Sequence, residues 1–191
     1  MSGPNYHFDK EKIMAEVRRR TQAALALAAV DVQTAIRQEL NQSGSGMYGS
    51  ASPPGSPPGR RTGELAGSVQ IDASELQSNL RVKIGTRKTY ARIQEMGGIV
   101  MAKGKLLTVP LNREAIQLRK STSNLRTLAL KVIPVGAKRF LARMVKGKAK
   151  FLFALVPSVF LPARPFMRPA LRKVKEKVLS RFRNLTGGIV K

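Results

Sequence analysis

The first clear pattern of apolar and polar positions runs from about residue 9 to residue 40. Apolar residues recur there at steps of three or four residues, or small multiples of them, at Ile13, Val17, Leu25, Ala28, Val32, Ile36 and Leu40. This spacing places them on one face of a helix. Asp9 stands where it can cap the first turn, and Asn41-Gln42-Ser43-Gly44 ends the pattern. The pattern therefore predicts one long amphipathic helix.

Residues 41–60 are dominated by serine, glycine and proline, with Ser52-Pro53-Pro54-Gly55 followed by Ser56-Pro57-Pro58-Gly59. Such a segment supplies no hydrophobic core, and its paired prolines favour extended polyproline II structure. Two interpretations remain open for this segment. It is either a flexible loop between the helix and the sheet or an arm that lies on a neighbouring subunit.

Short elements follow in the middle of the chain. A turn of helix is predicted at 64–68, capped by Thr62. Strict alternation of apolar and polar residues predicts strands at 69–71 and 80–84. A further short helix around residues 90–96 is predicted to end at Gly97-Gly98.

The second half of the chain contains more strands and a final helix. A strand is predicted at 106–110, a helix at 111–120 and another strand at 159–162. Two apolar runs, 140–145 and 150–155, flank Lys146-Gly147-Lys148 and predict a hairpin.

The last predicted helix spans residues 165–184. Pro165 and Pro169 fall in or near its first turn, where a missing N–H costs least. Its apolar stripe consists of Leu171, Val174, Val178, Leu179 and Phe182. The opposite face is almost entirely lysine and arginine.

These elements predict an α+β fold with a long N-terminal helix, an antiparallel sheet with an inserted hairpin region, and a C-terminal helix. The expected organisation is a helix at 1–40, an arm at 41–60 and an α+β core at 61–191. An insertion at about 99–161 lies inside that core. A chain of this length suits one domain overall.

The charge is unevenly distributed along the chain. The net charge is +24, and residues 99–191 hold 22 basic residues against two acidic ones, Glu114 and Glu176. A surface of this kind repels itself, which predicts a negatively charged partner. Nucleic acid, an acidic protein surface and a membrane all have that charge.

Two groups of basic residues are candidate contacts for DNA or an acidic partner. They are Lys138, Arg139, Arg143, Lys146, Lys148 and Lys150 around the predicted hairpin, and Arg172, Lys173, Lys175, Lys177, Arg181 and Arg183 on the last helix. Phosphates would bind such groups without sequence readout, and an acidic protein neighbour fits them equally well. Binding of the last helix to a membrane surface is a weaker third interpretation.

Groups that carry chemistry are scarce. The chain has no cysteine, which excludes disulfides and thiolate metal sites, and its one histidine is His7. Metal clusters and nucleophile–histidine–acid sets are therefore not expected. We expect no enzyme activity and no cofactor. The longest apolar runs are far shorter than the ~20 residues that cross a bilayer, so we also expect no membrane span. The polar N-terminus predicts no secretion.

Three short motifs occur in order along the chain. They are Arg61-Thr62-Gly63-Glu64-Leu65, then Tyr90-Ala91-Arg92-Ile93-Gln94-Glu95-Met96-Gly97, then Ala163-Arg164-Pro165-Phe166-Met167-Arg168-Pro169-Ala170. Together with the long helix and the Pro/Gly-rich stretch before them, they give a chain that resembles the neck and tail-completion proteins of tailed bacteriophages, including minor tail protein Z-like members. The departure from the family pattern is the long segment 100–161, where compact members have little.

The resemblance implies a structural virion protein without catalysis, which forms a ring of six or twelve copies. Such a ring joins the connector of the DNA-filled head to the tail, or completes the tail. The implied partners are connector or adaptor proteins, tail-terminator or tail-tube proteins, and packaged DNA. The implied location is the head–tail junction of the virion, after assembly in the host cytoplasm.

The motif residues are then expected to determine the fold and the subunit interfaces. These residues are Arg61, Thr62, Gly63, Leu65, Tyr90, Glu95, Gly97, Arg164, Pro165, Phe166 and Pro169. Glu95 is expected to pair with Arg61 or Arg164, and Phe166 to pack below the sheet. A competing hypothesis, a non-enzymatic basic nucleic-acid-binding protein, explains the charge but not the ordered motifs.

Overall fold

The structure is a computed structural model, which describes residues 9–42, 52–60, 62–104, 106–122 and 124–183. The helices are α1 (Lys10–Gln42), α2 (Glu64–Gly67), α3 (Leu76–Asn79), α4 (Ala91–Met96), α5 (Arg113–Ser121) and α6 (Met167–Arg183). The strands are β1 (Val69–Asp72), β2 (Lys83–Thr86), β3 (Gly98–Met101), β4 (Leu107–Pro110), β5 (Lys131–Val135), β6 (Lys138–Val145), β7 (Lys148–Val156) and β8 (Ser158–Leu161). The predicted α+β fold class is confirmed.

The inner core lies where α1 and α6 pack together beside the β1–β2 hairpin. Its buried residues include Ile36 and Leu40 of α1, Val69 of β1, and Phe166 and Ala170 at the start of α6. Ion pairs from Asp31 to Arg181 and from Glu39 to Lys173 show that the two helices run antiparallel.

The predicted long helix is confirmed as α1, and Asp9 caps it as expected, since its Oδ1 accepts the N–H of Lys12 at 3.1 Å. The apolar stripe of α1 is buried only in part. Leu40 is 3 % exposed, whereas Val17 is 36 % exposed. The reason is length: α1 has 33 residues and α6 has 17, and at ~1.5 Å per residue the shorter helix covers only about half of the longer one.

Two successive antiparallel strand pairs connect the inner core to the rest of the chain. β3 pairs with β8 and β4 pairs with β7, all antiparallel, and the main-chain N–H of Ala102 bonds to the oxygen of Pro157 at 2.9 Å between the two ladders. We call the β3–β8 pair the stem and residues 102–157 the insert. The stem is thus the point at which the insert leaves the inner core and returns to it.

The insert forms an antiparallel sheet in the order β4-β7-β6-β5, with α5 packed on one face. Its own hydrophobic cluster consists of buried Ala115, Leu152 and Phe153, and Leu118, Leu125, Leu130 and Leu141 pack against them. The predicted hairpin is confirmed as β6–β7. Its turn residues Lys146 and Gly147 both have positive φ, 49° and 75°, as a type I′ turn requires.

Some boundaries differ from the sequence prediction. Gly98, predicted to end a helix, begins strand β3, which the sequence analysis did not predict. β2 begins at Lys83 rather than at residue 80, because Leu80 adopts a left-handed conformation (φ 49°) that ends α3. Residues 125–127 form a 3₁₀ turn, and β5 follows.

Candidate functional site

Glu95 lies at the centre of the candidate site. Its Oε2 accepts the main-chain N–H groups of Phe166 and Met167 at 2.7 and 3.0 Å, and its Oε1 accepts that of Arg168 at 3.2 Å. The first N–H groups of a helix have no partner within the helix and carry partial positive charge. Glu95 of the second motif therefore caps helix α6, which begins inside the third motif.

The predicted pairing of Glu95 with Arg164 is wrong. The Nε of Arg164 donates to the oxygen of Ser52 at 2.8 Å, and its main-chain N–H donates to Gln94 at 2.6 Å. Three converging amide groups satisfy the Glu95 carboxylate instead, and Arg164 holds the segment before the first motif. Arg61, the other predicted partner, lies outside the described residues.

Gly97 brings the second and third motifs into backbone contact. It has a φ of +69°, and a Cβ at this position would lie 2.7 Å from the nitrogen of Ala163 and 3.0 Å from the oxygen of Leu161. Any side chain would force the two segments apart. Gly97 thus ends helix α4, as the sequence predicts, and also permits a close approach between the two segments.

The first motif starts helix α2 beside this contact. Gly63 has a left-handed φ of 78° and occupies the N-cap, the position that the prediction gave to Thr62. Thr62 Oγ1 accepts the N–H of Glu64 at 3.4 Å, a long bond, so its capping contribution is weak. Leu65 packs against the inner core.

The aromatic and proline residues of the motifs divide between core and surface. Phe166 is completely buried between α1, β1 and α4, close to where it was predicted, whereas Tyr90 is 41 % exposed. Pro165 precedes α6, and Pro169 is the third residue of that helix. Both prolines therefore lie where the helix needs no N–H donor.

The three motifs line one cleft of about 500 Å³, which we call the motif cleft. Its walls are formed by Thr62, Gly63, Leu65, Tyr90 and Arg164, together with part of the 52–60 segment. The main-chain N–H of Gly55 bonds to the oxygen of Ala163 at 2.9 Å. Residues 52–60 thus lie against the motifs of their own chain, and residues 43–51 are outside the described ranges.

Several candidate partner contacts are occupied by carboxylates of the same chain. Arg143 and Lys150 face each other across β6 and β7, and both reach Glu114, at 3.2 and 2.5 Å. The hydrogen bond from Lys150 lowers the pKa of Glu114. Lys173 pairs with Glu39 in the same way.

Other candidate contacts have no carboxylate partner in the part of the chain that the structure describes. They are Lys138, Arg139, Lys146, Lys148, Arg172 and Lys175. Four of them lie on the β6–β7 hairpin, so the insert keeps an uncompensated positive surface. This positive surface is smaller than the sequence indicated. The sequence does not show that Arg143 and Lys150 lie opposite each other on two strands and share Glu114.

The stem exposes an apolar surface that sequence reasoning missed. Ile99 is 65 % exposed and pairs directly with Phe160, which is 70 % exposed, and Met101 beside them is 74 % exposed. We call these three residues the stem face. The unbroken apolar run Ile99-Val100-Met101 was the available signal, since a strand of this composition has apolar groups on both faces.

Two other kinds of site are absent from the described ranges. No group of three or more histidine, aspartate or glutamate side chains there could hold a metal ion. No helix in the same ranges is long and apolar enough to cross a membrane.

Comparison with protein-family models, curated proteins and solved structures found no match to this chain.

Proposed function

We propose that this chain is a structural subunit of the neck of a tailed bacteriophage. It forms a ring of six or twelve copies that joins the connector of the head to the tail, or that completes the tail. The observation that carries this proposal is the convergence of the three ordered motifs. The second and third motifs meet at Glu95 and Gly97, where Glu95 and Phe166 are 71 residues apart in sequence, and the first motif joins them in lining the motif cleft. The motifs on which the family resemblance rests therefore act as one structural unit.

The stem face supports self-association. Large apolar side chains at 65–74 % exposure lose contact with water only when another surface covers them. They lie on a two-stranded pair whose outer edges are also free for further contacts, as judged over the described strands. In a ring, a second copy of the chain covers the stem face, because a ring requires contacts between copies.

The charge supports a neighbour that is negative. The Lys138, Lys146 and Lys148 ammonium groups form no ion pair with a carboxylate in the described ranges. In the proposed ring this surface faces packaged DNA or an acidic adaptor or tail-terminator protein.

The test is cryo-electron microscopy of purified particles from cells that produce either the normal chain or the variant Phe160→Asp. With the normal chain, we expect a six- or twelve-fold ring at the head–tail junction. The variant should leave heads and tails unjoined, because a carboxylate on the stem face opposes its burial. Val135→Asp is a matched control, since Val135 is an exposed strand residue (50 %) outside the stem.

Either of two outcomes would overturn the proposal: particles that lack the chain, or joined particles with Phe160→Asp in normal number. A monomer in the lysate that binds DNA duplexes in a salt-dependent way would then favour the second candidate, a basic nucleic-acid-binding protein. The unpaired lysines of the β6–β7 hairpin are the observation in its favour.

A further inference from the structure

A groove on the insert combines an apolar floor with an arginine rim. Its volume is about 840 Å³, and it lies between the sheet and the 3₁₀ turn at Leu125–Thr127. Leu125, Leu128, Leu130, Leu141 and Leu155 form its floor, and Leu125, Leu130 and Leu141 also pack against the cluster of the insert. The groove is therefore an opening in that cluster that the described residues leave uncovered. We call it the leucine groove.

Three guanidinium groups surround this floor, from Arg119, Arg126 and Arg139. Arg119 is held in place, because its Nη1 donates to the oxygen of Thr108 at 2.7 Å. Arg126 and Arg139 have no carboxylate partner among the described residues. All three are exposed, so a ligand can reach Arg119 where it is held, and Arg126 and Arg139 can rotate toward that ligand.

Among the described residues, no carboxylate competes with a ligand at this site, since none of those that line the groove is aspartate or glutamate. The only acidic residue between 99 and 161 is Glu114, and it already pairs with Arg143 and Lys150. Carboxylates of a partner would thus meet arginines that form charge-assisted, two-pronged hydrogen bonds with that group.

The floor distinguishes between two kinds of anionic partner. Nucleic acid offers phosphates for the arginines but no aliphatic groups for the leucines, and the lining contains no aromatic residue on which a base could stack. Leucine or phenylalanine side chains of a protein segment would instead displace water from the floor. The volume is in the range of ordinary ligand sites and holds several side chains.

We propose that the leucine groove binds an acidic segment of a partner protein, with apolar side chains on the leucine floor and carboxylates on Arg119, Arg126 and Arg139. This goes beyond the neck role and does not depend on it, since the residues that line the groove belong to the insert and none of them lines the motif cleft or belongs to the stem face. Binding by the isolated chain therefore tests the groove alone, and ring formation in particles tests the neck role.

The experiment measures binding of the peptide Glu-Leu-Glu-Asp-Leu-Leu-Glu to the purified full chain by fluorescence anisotropy. Saturable binding is expected. The double variant Arg126→Gln, Arg139→Gln should weaken it at least tenfold, because two charge-assisted contacts are lost. The double variant Lys146→Gln, Lys148→Gln is the matched control, since it removes the same charge from the same sheet outside the groove, and it should change binding less than about twofold.

Two further probes test the floor. A peptide with serine in place of every leucine should bind at least tenfold more weakly to the normal chain. The variant Leu128→Asn should weaken the leucine peptide but leave the serine peptide unchanged, with the thermal midpoint of each variant showing that it is folded.

Three results would overturn the inference. The first is no saturable binding of the leucine peptide. The second is equal binding of the leucine and serine peptides, which would show that charge alone acts. The third is a DNA duplex that binds more tightly than the peptide and loses affinity in the Arg126→Gln, Arg139→Gln variant, which would assign the groove to nucleic acid.

Discussion

At the scale of single residues, Glu95 has the most consequential position in the molecule. One carboxylate accepts three main-chain N–H groups at the start of α6 and so fixes where that helix begins relative to α4. Phe166, the residue whose N–H it holds most closely, is completely buried in the inner core. The capping of α6 by Glu95 and the burial of Phe166 in the core therefore depend on each other.

Removing the charge of Glu95 should destabilise the fold. We expect Glu95→Gln to lower the free energy of unfolding by about 1–3 kcal/mol, because a neutral amide accepts these N–H groups less strongly and brings its own N–H donors among them. Urea unfolding measures the change. Glu64→Gln is the control, since Glu64 forms an exposed pair with Lys88, and it should cost less than about 1 kcal/mol. Equal losses in the two variants would contradict the capping role.

Gly97 should tolerate no side chain. Gly97→Ala places a methyl group 2.7 Å from the Ala163 nitrogen at a left-handed backbone position, and we expect a loss of about 2 kcal/mol or more. Gly104→Ala is matched to it, because nothing lies within 4 Å of a Cβ at Gly104. Thermal unfolding of both variants compares them, and a Gly97→Ala midpoint as high as that of Gly104→Ala would refute the close-contact argument.

At the scale of elements, α1 and α6 are joined by ion pairs as well as by apolar packing. Asp31 is 12 % exposed at its side chain and receives Arg181 and Lys177 at 2.7 and 2.8 Å. The hydrogen bond from Arg181, with that from Lys177, lowers the pKa of Asp31. Two cations that the sequence suggested for an external partner are thus used to hold the helices together.

This pair should make stability depend on pH. A carboxyl group whose pKa is lowered by folding stabilises the fold above its ordinary pKa of 3.8, and that contribution is lost as the pH falls through the lower, folded value. We expect Asp31→Asn to cost about 1–3 kcal/mol near neutral pH and much less at acid pH, once Asp31 of the normal chain is protonated.

Urea unfolding of the normal chain and Asp31→Asn across this pH range measures the effect. Glu176→Gln is the control, because Glu176 is 75 % exposed and 3.8 Å from Arg183. A difference between the normal chain and Asp31→Asn that stays constant with pH would disprove the ionic contribution.

The elements that the sequence predicted correctly are those determined by residues close together in the chain. The periodicity of α1 and the Lys146-Gly147 turn were sufficient, because helix period and turn chemistry act within a few residues. Strand β3 was missed because Gly97-Gly98 also matches a helix stop. The true requirement on Gly97 is the approach of Ala163, more than 60 residues away.

The candidate site was predicted only in part, because its contacts join residues that are far apart in the sequence. The motif residues that the structure describes do come together, but Arg164 is not the partner of Glu95. The carboxylate binds free N–H groups at a helix start, which have no signature of their own in the sequence. The pairing of Arg143 and Lys150 with Glu114 likewise follows from strand register and the position of α5. The sequence contains the residues but not their spatial neighbours.

At the scale of the whole molecule, two hydrophobic clusters are linked through the stem. The inner core contains residues from both ends of the described chain, and the insert packs around Leu152 and Phe153. Met101 and Ser158 are paired in the stem, so the segment between them leaves and returns at adjacent points.

The insert should therefore be removable. We expect a chain in which Asn-Gly replaces residues 102–157 to keep the inner core, because a two-residue type I′ turn suits an antiparallel pair. Circular dichroism and cooperative thermal unfolding measure the retained fold. The same replacement combined with Gly97→Ala is the control and should unfold at lower temperature. Loss of cooperative unfolding in the excised chain itself would show that the inner core needs the insert.

Because α1 packs against α6, the packing of α1 can be completed only after α6 has been synthesised. Asp31 and Arg181 are 150 residues apart, which corresponds to roughly ten seconds or more of translation at about 5–20 residues per second. The hairpins of the insert need only microseconds to form. Ile36 and Leu40 must therefore remain without their α6 partner while the later sheet is already folded. Helix α1 is therefore synthesised well before the helix that completes its packing, and its apolar face stays partly uncovered in that interval.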